Sequence, residues 1–301
     1  MKYTKLGNSD LNVSRICMGC MGFGDATRGQ HSWTIDEEHS REIIKRGLDL
    51  GVNFYDTAIA YQSGTSEQYV GRALRDFAKR EDVVVATKFL PRTQEEIENG
   101  ISGQRHIENM INTSLQNLGM DYVDLYIYHM WDWKTPLEDI MDGLNRIVKA
   151  GKARYIGISN CFAWQIAKAN ALAEKEGYAK FVSIQGHYNL IFREEEREMV
   201  PYCHMYNGAL RYFDTIRGHE IRGKVIQDGD DAFTFESSGF EPGKWEFKAL
   251  TIEDFRRQTV KIVENGAYIA QAIHTTDDLQ EWYRKRFGEE AGLNYPDVLD
   301  N

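Results

Sequence analysis

Short apolar runs recur along the first two-thirds of the chain. Each is followed by a longer stretch in which apolar residues fall three and four apart among charged ones. The runs ICMGC, VNFYDTA, VVVATKF, YVDLYIYH, ARYIGISN and FVSIQGHYN read as buried strands. Between them, the spacing predicts helices over 36–50, 66–79, 104–118, 136–150 and 163–176. In the first of these, Ile43, Ile44 and Leu48 form the apolar stripe, Thr34 and Glu37 have capping-box spacing, and Gly51 is the stop. Pro136 is suited to the first helical position of the fourth. A last helix is expected over 194–206, broken or kinked by Pro201. The opening residues read as a hairpin turning at Gly7-Asn8-Ser9-Asp10.

The result is six strand–loop–helix units of roughly 30 residues each, the size of a βαβ repeat. Strict alternation with mostly apolar strands predicts a parallel sheet covered by helices. A closed barrel and an open doubly wound sheet both satisfy this. The loop Gly19-Cys20-Met21-Gly22-Phe23-Gly24 lacks the G-x-G-x-x-G spacing of an open nucleotide-binding sheet, and the polar residues at the strand ends favour the barrel. The expected class is α/β, a (β/α)8 barrel of the TIM type, with six units legible and the C-terminal end incomplete.

Past Asn207 the character changes, and the chain divides into 1–207, the barrel portion, and 208–301, a small α+β segment. Residues 221–250 read as two or three antiparallel strands, with turns at Asp228-Gly229-Asp230 and Glu241-Pro242-Gly243. Helices are expected over 251–263 and 277–287.

Composition narrows the functions. A net charge of −10 argues against a nucleic-acid surface. No apolar stretch reaches the ~18 residues of a membrane span. The N-terminus has no apolar core of a signal peptide, so a cytoplasmic location is expected. The four cysteines are too few for a disulfide scaffold. Cys17 and Cys20 form C-x-x-C, but no second pair stands nearby to complete a metal site, and no metal is expected.

Asp56, Tyr61, Lys88 and His129 each end, or closely follow, a strand run. In a parallel barrel the strand C-termini converge on one face, which holds the active site. These residue types suit carbonyl reduction, which needs a proton delivered to a developing alkoxide. Tyrosine can deliver it, but its free pKa of about 10 is high for neutral pH. A neighbouring lysine ammonium lowers that value, an aspartate holds the lysine charged, and a histidine bonds the carbonyl oxygen. Trp131 and Trp133, just beyond His129, suit an apolar pocket wall and equally suit anchors of their own loop.

Several stretches, in order, resemble the aldo-keto reductase family: KYTKLGNSDLNVSRICMGCMGFG, NFYDTAIAY with GTSEQYVGRAL, VVVATK, MDYVDLYIYH, GKARYIGISN and SIQGHYNL. The resemblance covers residues 1 to about 207. It implies an NAD(P)H-dependent enzyme reducing aldehydes or ketones, with NADP as cofactor and NAD possible. The family's catalytic positions fall on Asp56, Tyr61, Lys88 and His129. Its nicotinamide carboxamide would be held by Ser159, Asn160 and Gln185. The resemblance also implies two further strands after Asn207, a ring stacking on the nicotinamide, and a clamp for the adenosine phosphate. GALRYF is the candidate seventh strand, with Tyr212 or Phe213 as the stacker; the clamp has no legible counterpart. Two other readings remain. One is a non-catalytic, truncated or fused barrel whose C-terminal segment binds a partner. The other is a barrel enzyme using Lys88 as a Schiff-base amine, which leaves Tyr61 and Asp56 without a role.

Overall fold

A computed structural model describes residues 1–189 and 193–206, and the backbone of strands lying within 209–268. The chain divides into two compact units, Met1–Asp214 and Thr215–Asn301.

The first unit opens with a hairpin, β1 (Tyr3–Lys5) and β2 (Asn12–Ser14), paired antiparallel. Strands and helices then alternate. In chain order they are β3 (Met18–Gly19), α1 (Glu37–Asp49), β4 (Phe54–Asp56), α2 (Thr65–Phe77), β5 (Val84–Phe89), α3 (Gln94–Glu98) and α4 (Gly103–Leu118). They continue as β6 (Val123–Tyr128), α5 (Leu137–Lys149), β7 (Ala153–Ser159), α6 (Ala163–Glu176), β8 (Phe181–His187), α7 (Met199–Tyr206) and β9 (Ala209–Phe213). Strands β3 to β9 form one sheet in sequence order, and every neighbouring pair is parallel. These are seven strands of a (β/α)8 barrel among the described residues.

The pleat separates two cores. Phe54 of β4, Val84 and Ala86 of β5, and Leu125 and Ile127 of β6 alternate along their strands onto the inner face. Leu6, Leu11 and Val13 of the hairpin join that cluster, so the hairpin covers the apolar end of the interior. On the outer face Tyr55, Val85, Tyr126 and Ile156 meet Ile44 of α1, Leu74 of α2, Ile111 of α4 and Leu144 of α5. This two-sided burial explains why the strands read as near-continuous apolar runs.

Several local expectations change. Asp36, not Thr34, caps α1: its side chain accepts from the His39 N–H, placing the carboxylate where the first-turn donors and the helix dipole converge. Pro136 precedes α5 as its cap rather than opening the helix. The 194–206 helix divides into a 3-10 turn, Glu194–Glu196, and α7. Pro201 then lies in the first turn of α7, where no backbone donor is needed, and it breaks nothing. The short α3, capped by Thr93 and Glu96 in a reciprocal box, was not expected. GALRYF does supply a seventh strand, parallel to β8.

The second unit contains a five-stranded antiparallel sheet, β10 (Gly223–Gln227), β11 (Ala232–Ser237), β12 (Gly243–Ala249), β13 (Val260–Glu264) and β14 (Ala267–Tyr268). Val260–Glu264 is therefore strand rather than the end of a helix: VKIVE is rich in β-branched residues and pairs along β12. The remainder of 251–263, the helix expected over 277–287, the turns at Asp228-Gly229-Asp230 and Glu241-Pro242, and the side chains of Tyr212 and Phe213 lie outside the described residues.

Candidate active site

Period-two alternation that buries apolar residues at one end of the interior delivers polar ones at the other. Asp56 follows Phe54 on the inner face of β4, Lys88 follows Val84 and Ala86 on β5, and His129 continues Leu125 and Ile127 past the end of β6. Parallel pairing sets Asp56 against Ala86 and Lys88 against Ile127, so these C-terminal ends lie side by side.

Lys88 is 1% exposed and Asp56 4%. The Lys88 ammonium donates to Asp56 Oδ1, to Thr57 O at 2.8 Å and to Tyr61 Oη at 2.9 Å. Its three N–H groups thus have three acceptors. An ammonium can only donate, so the Tyr61 oxygen is an acceptor here and its own proton is left to point elsewhere. Burial works against the charge on Lys88, but Asp56 and Tyr61 outweigh it and hold the ammonium's pKa above its usual value.

The layer behind the site fastens this segment. Thr57 Oγ1 and Ser66 Oγ are 3.0 Å apart, and Ser66 donates to Cys20 O at 2.7 Å. Thr87 donates to Glu67 Oε1 at 2.5 Å, and Asn117 to Glu67 Oε2 at 2.8 Å. Ser66 and Glu67 of α2 therefore grip the residues adjoining Asp56 and Lys88, and burial pushes the Glu67 carboxyl up.

His129 sets its ring edge-on to Tyr61, with centroids 5.9 Å apart and planes at 80°. Its Nδ1 is buried and makes no hydrogen bond among the described residues. Burial first, and the Lys88 cation second, push the imidazole down to about 3. Since the unfolded value is about 6.5, the unfolded chain takes up a proton that the folded chain refuses, and His129 lowers stability as pH falls from about 6.5 toward 3. Ring ¹⁵N NMR at about pH 5 is expected to find His129 neutral. An imidazolium signal there would refute this environment.

Ser159, Asn160 and Gln185 meet at the ends of β7 and β8. Ser159 Oγ donates to Gln185 O at 2.8 Å. Asn160, in the left-handed region at φ 49°, donates from Nδ2 to His129 O at 2.9 Å and to Ser159 Oγ at 3.1 Å. Gln185 Nε2 lies 3.5 Å from Asp56 Oδ2, while Gln185 Oε1 is buried with no hydrogen-bond partner among the described residues. That orphaned acceptor beside the Lys88 cluster is suited to an amide donor from a bound molecule.

A sequence model described as Aldo/keto reductase family matches residues 15–262. The chain belongs to the aldo/keto reductase family. The match runs past Asn207 into the second unit. Among curated relatives, this family member is 38% identical over 221 residues to a versiconal hemiacetal acetate reductase of Aspergillus parasiticus, covering 67% of this chain and 64% of that one. It is 36% identical over 214 residues to an aryl-alcohol dehydrogenase of Pestalotiopsis microspora, covering 69% and 56%. The chain therefore spans less than two-thirds of the length of these relatives. A solved thermostable aldo-keto reductase in complex with the inhibitor epalrestat superposes with a TM-score of 0.60 at 27% identity, over 70% of this chain and 71% of the other.

In this aldo/keto reductase Trp131 and Trp133 stand together, 6.4 Å between centroids, with Trp131 half-buried and Trp133 72% exposed. Trp164, in the first turn of α6, completes a triangle at 6.2 Å from Trp131 and 6.1 Å from Trp133. Sequence reasoning missed Trp164. An exposed aromatic at the start of a helix that follows a strand C-terminus was the available signal. It also missed Gln62, for which no local signal exists. Cys17 packs against the inner cluster and Cys20 lies in the outer one, so the C-x-x-C pair, which flanks β3, is split between the two cores.

Proposed function

We propose that the chain is an oxidoreductase that reduces aldehydes or ketones to alcohols with NAD(P)H. Tyr61 is the proton donor, Lys88 and Asp56 position its oxygen, and His129 orients the carbonyl. The observation that carries this is the saturated Lys88 ammonium. With all three donors used on Asp56, Thr57 O and Tyr61 Oη, it fixes the Tyr61 oxygen as an acceptor and leaves the tyrosine proton free for transfer. A neutral His129 can donate one hydrogen bond to a carbonyl oxygen and accept none of the reaction's charge, which suits positioning more than proton transfer.

The residues at the ends of β7 and β8 fit a nicotinamide carboxamide, because Gln185 Oε1 lacks a donor and Ser159 and Asn160 adjoin it. When bound, the cofactor supplies the hydride. What this chain contributes is the fixed orientation of the amide, and hence of the ring face. The tryptophans Trp131 and Trp133, extended by Trp164, suit a flat apolar substrate surface. Relatives named for an aryl alcohol and for versiconal hemiacetal acetate make aryl aldehydes the first substrates to assay.

The test is loss of NADPH absorbance on adding aryl aldehydes to the purified chain. Gln185→Leu is expected to weaken NADPH binding roughly threefold to tenfold by calorimetry, the size of one lost hydrogen bond. Unchanged affinity would remove Gln185 from the cofactor site. No NADPH binding by the wild type at all would favour the non-catalytic reading instead.

A further inference from the structure

Gln62 has no part in the chemistry above, yet few side chains are held more tightly. It follows Tyr61 directly, is 1% exposed, and sits in the left-handed region at φ 47° and ψ 48°. Ser63 follows in the same region at φ 52° and ψ 40°. Residues with a Cβ are strained there by ~1 kcal/mol or more, and such strain persists only where the surroundings over-determine it.

The surroundings are a loop. Gln62 Nε2 lies 2.9 Å from Asp25 O, 2.5 Å from Arg28 O and 2.7 Å from His31 O. Gln62 Oε1 accepts the His31 N–H at 2.9 Å. Carbonyls around the amide nitrogen and a donor at its oxygen leave a single sensible orientation for the group. Thr65 adds a second tie, accepting the Asp25 N–H at 3.0 Å and donating to Gln62 O at 2.8 Å.

The loop is shaped to admit this side chain. Gly24 and Gly29 both have positive φ, 139° and 81°. A Cβ on Gly24 would come within 2.7 Å of Gln62 Cβ, and one on Gly29 within 2.7 Å of Gln62 Cα. Beyond this ring the same loop carries His31 and Trp33, ring centroids 4.9 Å apart, before α1 begins.

We propose that Gln62 is a latch: its carboxamide fastens loop 24–34 to the turn that carries Tyr61, so that loop and phenol are positioned as one unit. Lys88 pins the oxygen end of Tyr61, and Gln62 pins the backbone end. Gln62 is thus a positioning residue, acting on the reaction through Tyr61. Small misplacements of a reacting group are costly, so loosening the turn lowers the rate even with the tetrad intact. The link to rate rests on Tyr61 as proton donor; the latch itself does not.

Limited trypsin digestion, followed by mass spectrometry of the Arg28–Gly29 bond, reads the latch without any turnover. Arg28 is exposed, but its carbonyl is held by Gln62, so cutting requires the loop to open locally. Gln62→Ala removes every side-chain bond. Gln62→Glu keeps the shape but turns a carboxylate toward three carbonyls. In both, cutting at Arg28 is expected to rise by about tenfold or more while the melting temperature moves only a few degrees. In the carbonyl assay kcat is expected to fall about tenfold and KM to rise, with the Kd for NADPH unchanged. A general loss of structure would instead lower the melting temperature and cofactor binding together. If Gln62→Ala fails to fold, Gln62→Gly, which relieves the left-handed strain while removing the same bonds, takes its place. Wild-type cutting rates in the variants overturn the latch. Faster cutting with kcat and KM unchanged overturns its positioning role. Faster cutting in variants of a wild type that binds NADPH but reduces no carbonyl supports the latch and retires Tyr61 as donor.

Discussion

Tyr61→Phe is expected to lower kcat for carbonyl reduction by ~10²-fold or more while leaving the Kd for NADPH unchanged. The substitution removes one oxygen. That oxygen is the Tyr61 Oη that accepts from Lys88 at 2.9 Å. The ring keeps its edge-on contact with His129, and the phenyl group keeps the Lys88 ammonium 4.5 Å from its centroid. Ring packing is therefore preserved, while the proposed proton donor and one of the three Lys88 acceptors are lost. The measurement is steady-state kinetics beside a calorimetric titration of NADPH. A Tyr61→Phe protein with wild-type kcat would end the assignment of Tyr61 as donor.

Lys88→Met is expected to abolish turnover and also to destabilise the fold. The Asp56 carboxylate, 4% exposed, would lose the ammonium that compensates it, and breaking a buried pair from one side typically costs roughly 3 kcal/mol or more. Asp56→Asn should be milder in stability, because an amide oxygen still accepts a Lys88 N–H. It should still be slow, since the charge that keeps Lys88 protonated is gone. The pair raises the Lys88 pKa, so its stabilising contribution is present at neutral pH and is lost only as pH climbs through that raised value. Urea unfolding of the three proteins at neutral and alkaline pH measures this. Wild-type stability and rate in both variants would show that the two residues do not act as a buried pair.

Much of the barrel and its candidate site was legible because both are written in short-range pattern. A β-strand alternates its faces every residue, so the order Val84, Ala86, Lys88 announces an apolar interior ending in a polar tip before any neighbour is known. The strict alternation of such runs with helical spacing leaves few topologies, and parallel pairing then brings Asp56 and Lys88 to one end. The convergence of Asp56, Tyr61, Lys88 and His129 was a fold-level deduction from strand ends, and the family resemblance supplied the parts list.

Other features depended on geometry the sequence does not encode locally. Asp36 rather than Thr34 caps α1 because the helix begins two positions later than the capping-box spacing implied. Pro201 is harmless because α7 starts at Met199. Trp164 joins Trp131 and Trp133 only because the α6 start and the loop beyond His129 adjoin in space. Gln62 is the extreme case. In YQSG it is an ordinary loop residue, and its importance comes from carbonyls 31 to 37 positions earlier. By itself the sequence determined which residues alternate, which strands carry polar tips, and so where the candidate site gathers, since those follow from the repeat geometry of strand and helix. Only the tertiary structure decided which distant loop closes on which turn, because such contacts depend on how the loops at the strand C-termini pack, and no residue period records that.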